Sequence, residues 1–145
     1  MGMWRGRAPL AIIAMAKSSA SAQLRNFNAR AIVDRQIRYT IVGGHFSPTM
    51  SIDLKSQVVT LSVAGANRFR LSVSPGSFRE TGLGGYVANV KRSLSKTDLL
   101  LQPFTRGGWA YSAGIKGFIP GSTPVIVSLT IGSQAGKAKV KVNAF

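Results

Sequence analysis

The alternation of apolar and polar residues is sharpest over residues 123–132. Between residues 125 and 131 every second side chain is aliphatic, and residues that share a face of a strand are spaced by two. The aliphatic positions are Val125, Val127, Leu129 and Ile131. Turn-forming Gly, Ser and Pro residues enclose the run on both sides. The pattern therefore predicts a buried strand with sharp ends.

Shorter alternating runs occupy the rest of the chain from Asp34 onward. They predict strands around residues 37–41, 52–54, 59–63, 69–73, 86–90, 99–101 and 109–111. We expect Ile37, Tyr39 and Ile41 of the first strand to face the core of the domain. Gly43-Gly44 would end this strand. Residues 64–67 would turn the chain into a hairpin. The last run alternates apolar residues with Lys137, Lys139 and Lys141, as is typical of an edge strand.

The spacing of these turn signals indicates the fold class. The chain holds 16 Gly and 6 Pro residues, and no long stretch has helical periodicity. The sequence predicts an all-β domain over residues 31–145, either an antiparallel β-sandwich or a partly open barrel of about seven to nine short strands.

Residues 1–30 differ in composition from the remainder. They carry five cations, and the first acidic residue of the chain is Asp34. Arg5 and Arg7 precede a short apolar stretch, and Ala20-Ser-Ala22 offers small residues for cleavage, which together indicate a secretory signal peptide. An organelle presequence or a flexible basic arm are the alternatives. The apolar stretch is too short to predict a membrane span.

The charge balance favours anionic partners. Nineteen Lys and Arg residues face four acidic residues, and the formal net charge is +15. Nucleic acid, acidic lipid headgroups and acidic polysaccharides would all be attracted by such a field, although the charge also serves solubility. The absence of cysteine excludes disulfides, thiol nucleophiles and thiolate metal sites.

The residues that familiar catalytic sites need are scarce. His45 is the single histidine, and we expect it to lie in a loop. The acids Asp34, Asp53, Glu80 and Asp98 are scattered along the chain. The glycine pairs are read as hairpin turns, because no Gly-Lys-Ser/Thr signature follows them. The sequence therefore predicts no enzyme, no cofactor and no metal site.

Basic and aromatic residues alternate along the middle of the chain and form the candidate binding face. Its members are Arg68, Arg70, Tyr86, Lys91, Arg92, Arg106, Trp109 and Tyr111, with Lys96 and Lys116 close to them in sequence. Cations beside aromatic rings would hold phosphates and stack bases. In the alternative interpretation Trp109 and Tyr111 belong to the core and the cations are simply solvated.

Three segments resemble a known class of modules. They are a strand followed by Pro-Gly-Ser-Phe over residues 69–78, Gly-Gly-Tyr at residues 84–86, and a Pro-Val-rich strand ending in Ile-Gly over residues 124–132. In this order they resemble the β-repeat modules of large, secreted bacterial proteins. The resemblance implies an extracellular β-sandwich scaffold without a reaction of its own. This chain differs in being strongly basic, whereas those modules are acidic or neutral.

These observations predict a non-enzymatic structural or adhesion module, secreted or at the cell surface, that binds anionic glycans or surfaces. The alternative is a cytoplasmic nucleic-acid-binding β-barrel that uses the basic-aromatic face. The oligomeric state stays open at this stage.

Overall fold

The computed structural model describes residues 22–144, in which twelve strands form one open, mixed sheet. The strands are β1 Ala22–Arg25, β2 Arg30–Asp34, β3 Tyr39–Pro48, β4 Val59–Ala64, β5 Arg68–Val73, β6 Arg79–Glu80, β7 Tyr86–Lys91, β8 Lys96–Pro103, β9 Trp109–Lys116, β10 Val125–Ile131, β11 Gln134–Val140 and β12 Val142–Ala144. A short 3-10 turn, Thr105–Gly107, separates β8 from β9. The prediction of an all-β class is confirmed.

The strand count and the pairing differ from the expectation. Two strands before residue 35, the short β6 and a division of the last predicted strand raise the count above the predicted range. The pairing is not wholly antiparallel, because β11 runs parallel to β1 and β12 runs parallel to β2. Residues 52–54 lie in a loop and form no strand.

The path of the sheet has two halves. Neighbouring strands follow the order β5-β4-β10-β11-β1-β3-β9-β8-β7-β6, with β2 on β3 and β12 on β2. Two hairpins make the first half, and β3 with β9, β8 and β7 makes the second. β1 joins the halves through short ladders to β11 at Gln134 and to β3 at Pro48.

Both halves bury one face in the same hydrophobic cluster. In β10 the four aliphatic positions predicted to face inward are fully buried, which confirms the prediction for this strand. β4 and β11 flank β10, so it pairs on both sides. Each buried aliphatic side chain stabilises the fold by about 1.5–3 kcal/mol relative to an exposed one.

The predicted orientation of the strand at residues 37–41 was wrong. Thr40 and Val42 are fully buried, while Ile37 is 60% exposed in the turn before β3. Burial of Thr40 is tolerated because its Oγ1 donates a hydrogen bond of 2.6 Å to the Phe118 carbonyl. Thr40 therefore points into the core, although the apolar pattern assigned the inward positions to its neighbours Tyr39 and Ile41.

β3 also continues through the glycine pair that was expected to end it, so His45 lies in a strand and not in a loop. Glycine is needed inside this strand because the chain before β2 packs closely against it. A Cβ added to Gly44 would collide with the backbone of Asn28.

The fold includes residues 22–30 of the segment predicted to be a leader. β1 lies within it, and the side chain of Leu24 is buried in the core. The remaining part of that prediction, residues 1–21 with the basic and apolar stretches and the first two residues of the proposed cleavage site, lies outside the described residues.

The lysine-rich run forms β11, which lies beside β10. It is not the edge strand that the sequence predicted, because its first residues, Gln134 and Ala135, pair with β1 on the other side. Lys137 and Lys139 follow beyond this short ladder and are exposed.

Candidate functional site

Three lysines lie side by side across neighbouring strands of the second half. In the register of the sheet, Lys96 of β8 stands directly opposite Lys91 of β7 on one side and Lys116 of β9 on the other. All three side chains are exposed. Residues that are directly opposite in antiparallel strands have Cβ atoms about 4.5–5.5 Å apart, so the three charges form one continuous row.

Two turns bring further cations to this row. The Gly117 amide donates a hydrogen bond of 2.7 Å to the Arg38 carbonyl, which fixes the β2–β3 turn beside the end of β9. Gly117 has a φ of 94°, and a Cβ at this position would collide with the Leu94 carbonyl in the β7–β8 turn. Because glycine occupies this position, both turns can pack at the end of the three strands.

We call the resulting surface the basic end. Its cations are Arg38, Lys91, Arg92, Lys96 and Lys116, and they line a shallow depression of about 340 Å³. Two acids lie nearby and are engaged in hydrogen bonds. Asp98 accepts one of 2.6 Å from the Asn89 side chain, and Asp34 accepts one of 3.0 Å from the Gln36 amide.

Arg92 links the basic end to the edge strand β5. Its Nη1 donates a hydrogen bond of 2.9 Å to the backbone carbonyl of Arg70. This contact places Arg92 and Arg70 together and gives a partner to a carbonyl at the end of the strand order. Arg68 is exposed further along the same strand. Arg92 therefore has a structural contact in addition to its charge.

The predicted aromatic residues lie at the opposite end of the same strands. Tyr86 begins β7 and Trp109 begins β9, whereas Lys91 and Lys116 end them. At about 3.4 Å per residue, Tyr86 and Lys91 are roughly 17 Å apart along β7. The basic-aromatic face predicted from the sequence is therefore divided between two ends of the sheet.

At this aromatic end the rings pack against one another. The Trp109 ring lies nearly parallel to those of Phe46 and Tyr86, with centroid distances of 6.4 Å and 6.2 Å. These separations are typical of favourable aromatic pairs. Trp109 is half-buried against the hydrophobic cluster. Its ring therefore packs at the boundary of the core.

Tyr111 belongs to the core. It is 2% exposed, stacks on Phe27 at 5.2 Å, and its hydroxyl donates a hydrogen bond of 2.8 Å to the Asn28 carbonyl. Burial raises the pKa of the Tyr111 hydroxyl well above its usual range. It is not accessible to a ligand, and the structure removes it from the candidate binding residues.

Arg106 lies in the turn between β8 and β9, exposed and in the left-handed region with a φ of 62°. This turn is at the aromatic end, so Arg106 is remote from the lysine row. Of the eight predicted binding residues, the structure groups Arg70, Lys91 and Arg92 and separates them from Tyr86, Arg106, Trp109 and Tyr111. The eighth, Arg68, lies further along the strand of Arg70.

A groove of about 520 Å³ opens beside the aromatic end and includes Phe78, Tyr86 and Trp109 in its wall. Two of the chain's four acids, Asp53 and Glu80, also line it. The Ser56 hydroxyl and the Lys55 amide both donate to the Asp53 carboxylate, and these hydrogen bonds lower its pKa. Asp53 therefore holds a local turn together.

The structure adds one cation to the candidate site that the sequence did not assign to it, Arg38 in the β2–β3 turn. Two aliphatic side chains, Ile37 and Leu94, lie in turns beside these cations without contributing charge. The turn that holds Ile37 and Arg38 could have been recognised from its composition, because Asp34 begins a five-residue stretch with two arginines. In the structure the Asp34 side chain accepts a hydrogen bond typical of an Asx turn. Leu94 stands alone between two serines, where no periodicity could assign it a role.

Within residues 22–144, no group of three His, Asp or Glu residues is placed to share a metal ion. Over the same residues, no helix has the length and apolar character that crossing a membrane requires.

Comparison with known proteins found no matching family model, no similar curated protein and no similar solved structure. The resemblance to secreted β-repeat modules therefore stays a prediction. The features that bear on function are those of the sheet itself, above all the lysine row at the basic end.

Proposed function

We propose that this protein is a non-enzymatic β module that attaches to anionic glycans or anionic surfaces through its basic end. The observation that supports this most strongly is the register of Lys91, Lys96 and Lys116. Like charges directly opposite one another destabilise a sheet. An anionic partner removes this repulsion on binding, so the arrangement is unfavourable for the isolated fold and favourable for a complex.

We also propose that the module is a β-sandwich. The two halves of the sheet bury their faces in one hydrophobic cluster, which is what the two layers of a β-sandwich do. A secreted or cell-surface location, an adhesive role and membership of a repeat array are consistent with such a scaffold and with the sequence resemblance. The basic end would then be the contact surface of a structural unit.

The nucleic-acid alternative receives less support from the geometry. Binding of single strands combines a basic groove with aromatic rings on which bases stack. Here the predicted rings lie at least about 17 Å from the lysine row along the strands, and they pack against one another or in the core. The cations of the basic end act without these aromatic partners, which suits a contact to charge alone.

The proposal is tested with the full chain and heparin as a soluble polyanion. We expect a triple variant with Lys91→Gln, Lys96→Gln and Lys116→Gln to bind at least about tenfold more weakly and to show a flatter dependence of log affinity on log salt concentration. The matched control is Lys137→Gln, Lys139→Gln and Lys141→Gln, which removes the same charge from other exposed lysines.

The comparison between the two triple variants decides the outcome. A loss confined to the first variant supports a site at the basic end. Equal losses in both variants would mean that heparin responds to net charge and that the lysine row is no site.

A further inference from the structure

We propose that the anionic partner of the basic end is the surface of a lipid bilayer, into which Leu94 and Ile37 insert. This inference rests on the proposed function and gives it a specific partner. It is carried by two exposed aliphatic side chains that lie among the cations of the lysine row and its flanking turns.

The first observation is the exposure of these side chains. Leu94 is 87% exposed and Ile37 is 60% exposed, and both line the depression that holds the five cations. The transfer of an aliphatic side chain out of water is favourable. Leu94 and Ile37 are exposed in the described fold, so burial in a partner would stabilise a complex at the place where the positive charge is concentrated.

The second observation is that the two turns carrying them are held together. The 2.7 Å hydrogen bond from the Gly117 amide to the Arg38 carbonyl fixes the turn that carries Ile37. The carbonyl of Leu94 itself packs against Gly117. Both side chains are thus presented from one end of the sheet by supported turns.

The combination of charge and apolar surface distinguishes between anionic partners. A glycan in water offers charge to the lysines but no apolar phase for Leu94 and Ile37. A bilayer with acidic lipids offers both, because its anionic headgroups attract the cations and aliphatic side chains enter the boundary with the acyl chains. The lysine stems can also lie along the apolar layer while their ammonium groups contact phosphate.

A second exposed leucine provides an internal comparison. Leu83 is 85% exposed in the turn between β6 and β7, where its neighbours are glycines and the nearest charged residue in sequence is Glu80. This turn leads to Tyr86, at the aromatic end of β7. Leu83 thus matches Leu94 in exposure but does not line the depression that holds the five cations.

The test uses sedimentation of the full chain with vesicles of phosphatidylcholine that contain about 30% phosphatidylglycerol. We expect the protein to bind these vesicles but not vesicles of pure phosphatidylcholine. The variant with Leu94→Ser and Ile37→Ser should bind roughly tenfold more weakly, because it keeps every charge and loses the inserted aliphatic groups. Leu83→Ser is the control and should bind like the parent.

Heparin binding separates this inference from the proposed function. The Leu94→Ser and Ile37→Ser variant should bind heparin like the parent, since charge alone acts there. If that variant also binds anionic vesicles like the parent, or if the parent binds heparin but no vesicles, the membrane inference is overturned and the partner is a glycan. If the parent binds neither, the proposed function fails as well.

A direct measure of insertion comes from Leu94→Trp. Its tryptophan emission should shift to shorter wavelength with anionic vesicles and should be quenched by lipids brominated on their acyl chains. Leu83→Trp should show neither change. Equal spectra with and without vesicles for the Leu94→Trp protein, under conditions where it sediments with them, would overturn the insertion of Leu94.

Discussion

The two ends of strands β7, β8 and β9 are built from the same sheet but have opposite physical character. At the aromatic end, the rings of Tyr86 and Trp109 stack on each other and pack against the core. At the basic end, Lys91, Lys96 and Lys116 repel one another across the same ladder. The comparison indicates that the aromatic end stabilises the fold, while the basic end weakens it slightly and keeps its charges available to a partner.

The largest expected effect concerns the aromatic end. We predict that Trp109→Ala lowers the free energy of unfolding by about 3 kcal/mol, because it removes both stacked contacts and part of the core boundary. At temperatures where the variant remains folded, its affinity for heparin should equal that of the parent. Chemical denaturation and titration with heparin measure the two quantities.

Leu83→Ala is the control for this substitution, since an exposed side chain in a turn should change the stability by less than about 0.5 kcal/mol. A loss of heparin affinity in folded Trp109→Ala would contradict the division into two ends. It would return Trp109 to the binding face that the sequence predicted.

A smaller effect is expected at Tyr111, between the ends, and it depends on pH. Burial raises the pKa of its hydroxyl above the ordinary value of 10.0, so the folded state retains a proton that the unfolded state releases. The stability from this group is complete below pH 10 and falls as the pH rises further. We predict that the free energy of unfolding decreases more steeply above pH 10 in the parent than in Tyr111→Phe.

At neutral pH, Tyr111→Phe should cost about 1 kcal/mol through loss of the hydrogen bond to the Asn28 carbonyl. Tyr86→Phe is the matched control, because it removes a tyrosine hydroxyl but retains Tyr111 and therefore keeps the alkaline slope. Parallel curves for the parent and Tyr111→Phe above pH 10 would show that this group does not titrate on unfolding.

The sequence predicted those parts of the fold in which pattern and burial agree. The inward face of β10 was found because all four of its side chains are aliphatic, and the β4–β5 hairpin because both of its strands alternate cleanly. The buried face of β3 was predicted wrongly because Thr40 is buried with a hydrogen bond to Phe118, a residue far along the chain. Local periodicity cannot reveal that a polar residue has a distant partner.

The candidate site was only half predictable for a related reason. Lys91, Arg92, Lys96 and Lys116 were noticed as cations, but their adjacency depends on the register of three strands, which the sequence leaves open. Ile37 and Leu94 lie beside these cations because Gly117 contacts the turn of each, through a hydrogen bond to Arg38 and through packing against Leu94. The aromatic residues were grouped with the cations because closeness in sequence does not tell which end of a strand a residue occupies.

The smallest predicted change is also the sharpest test of the comparison, because it separates stability from binding. Lys96 has a lysine opposite it on both sides, so Lys96→Gln removes two repulsive contacts at once. We predict that this substitution raises the free energy of unfolding at low salt by about 0.2–1 kcal/mol and weakens heparin binding. Added salt should shrink the gain in stability, since the repulsion between exposed charges is screened. Lys139→Gln, which replaces a lysine that faces Ile126 across the ladder, should leave the stability nearly unchanged. A loss of stability in Lys96→Gln at low salt would mean that the row is not a repulsive arrangement, and the proposed anionic partner would lose its strongest support.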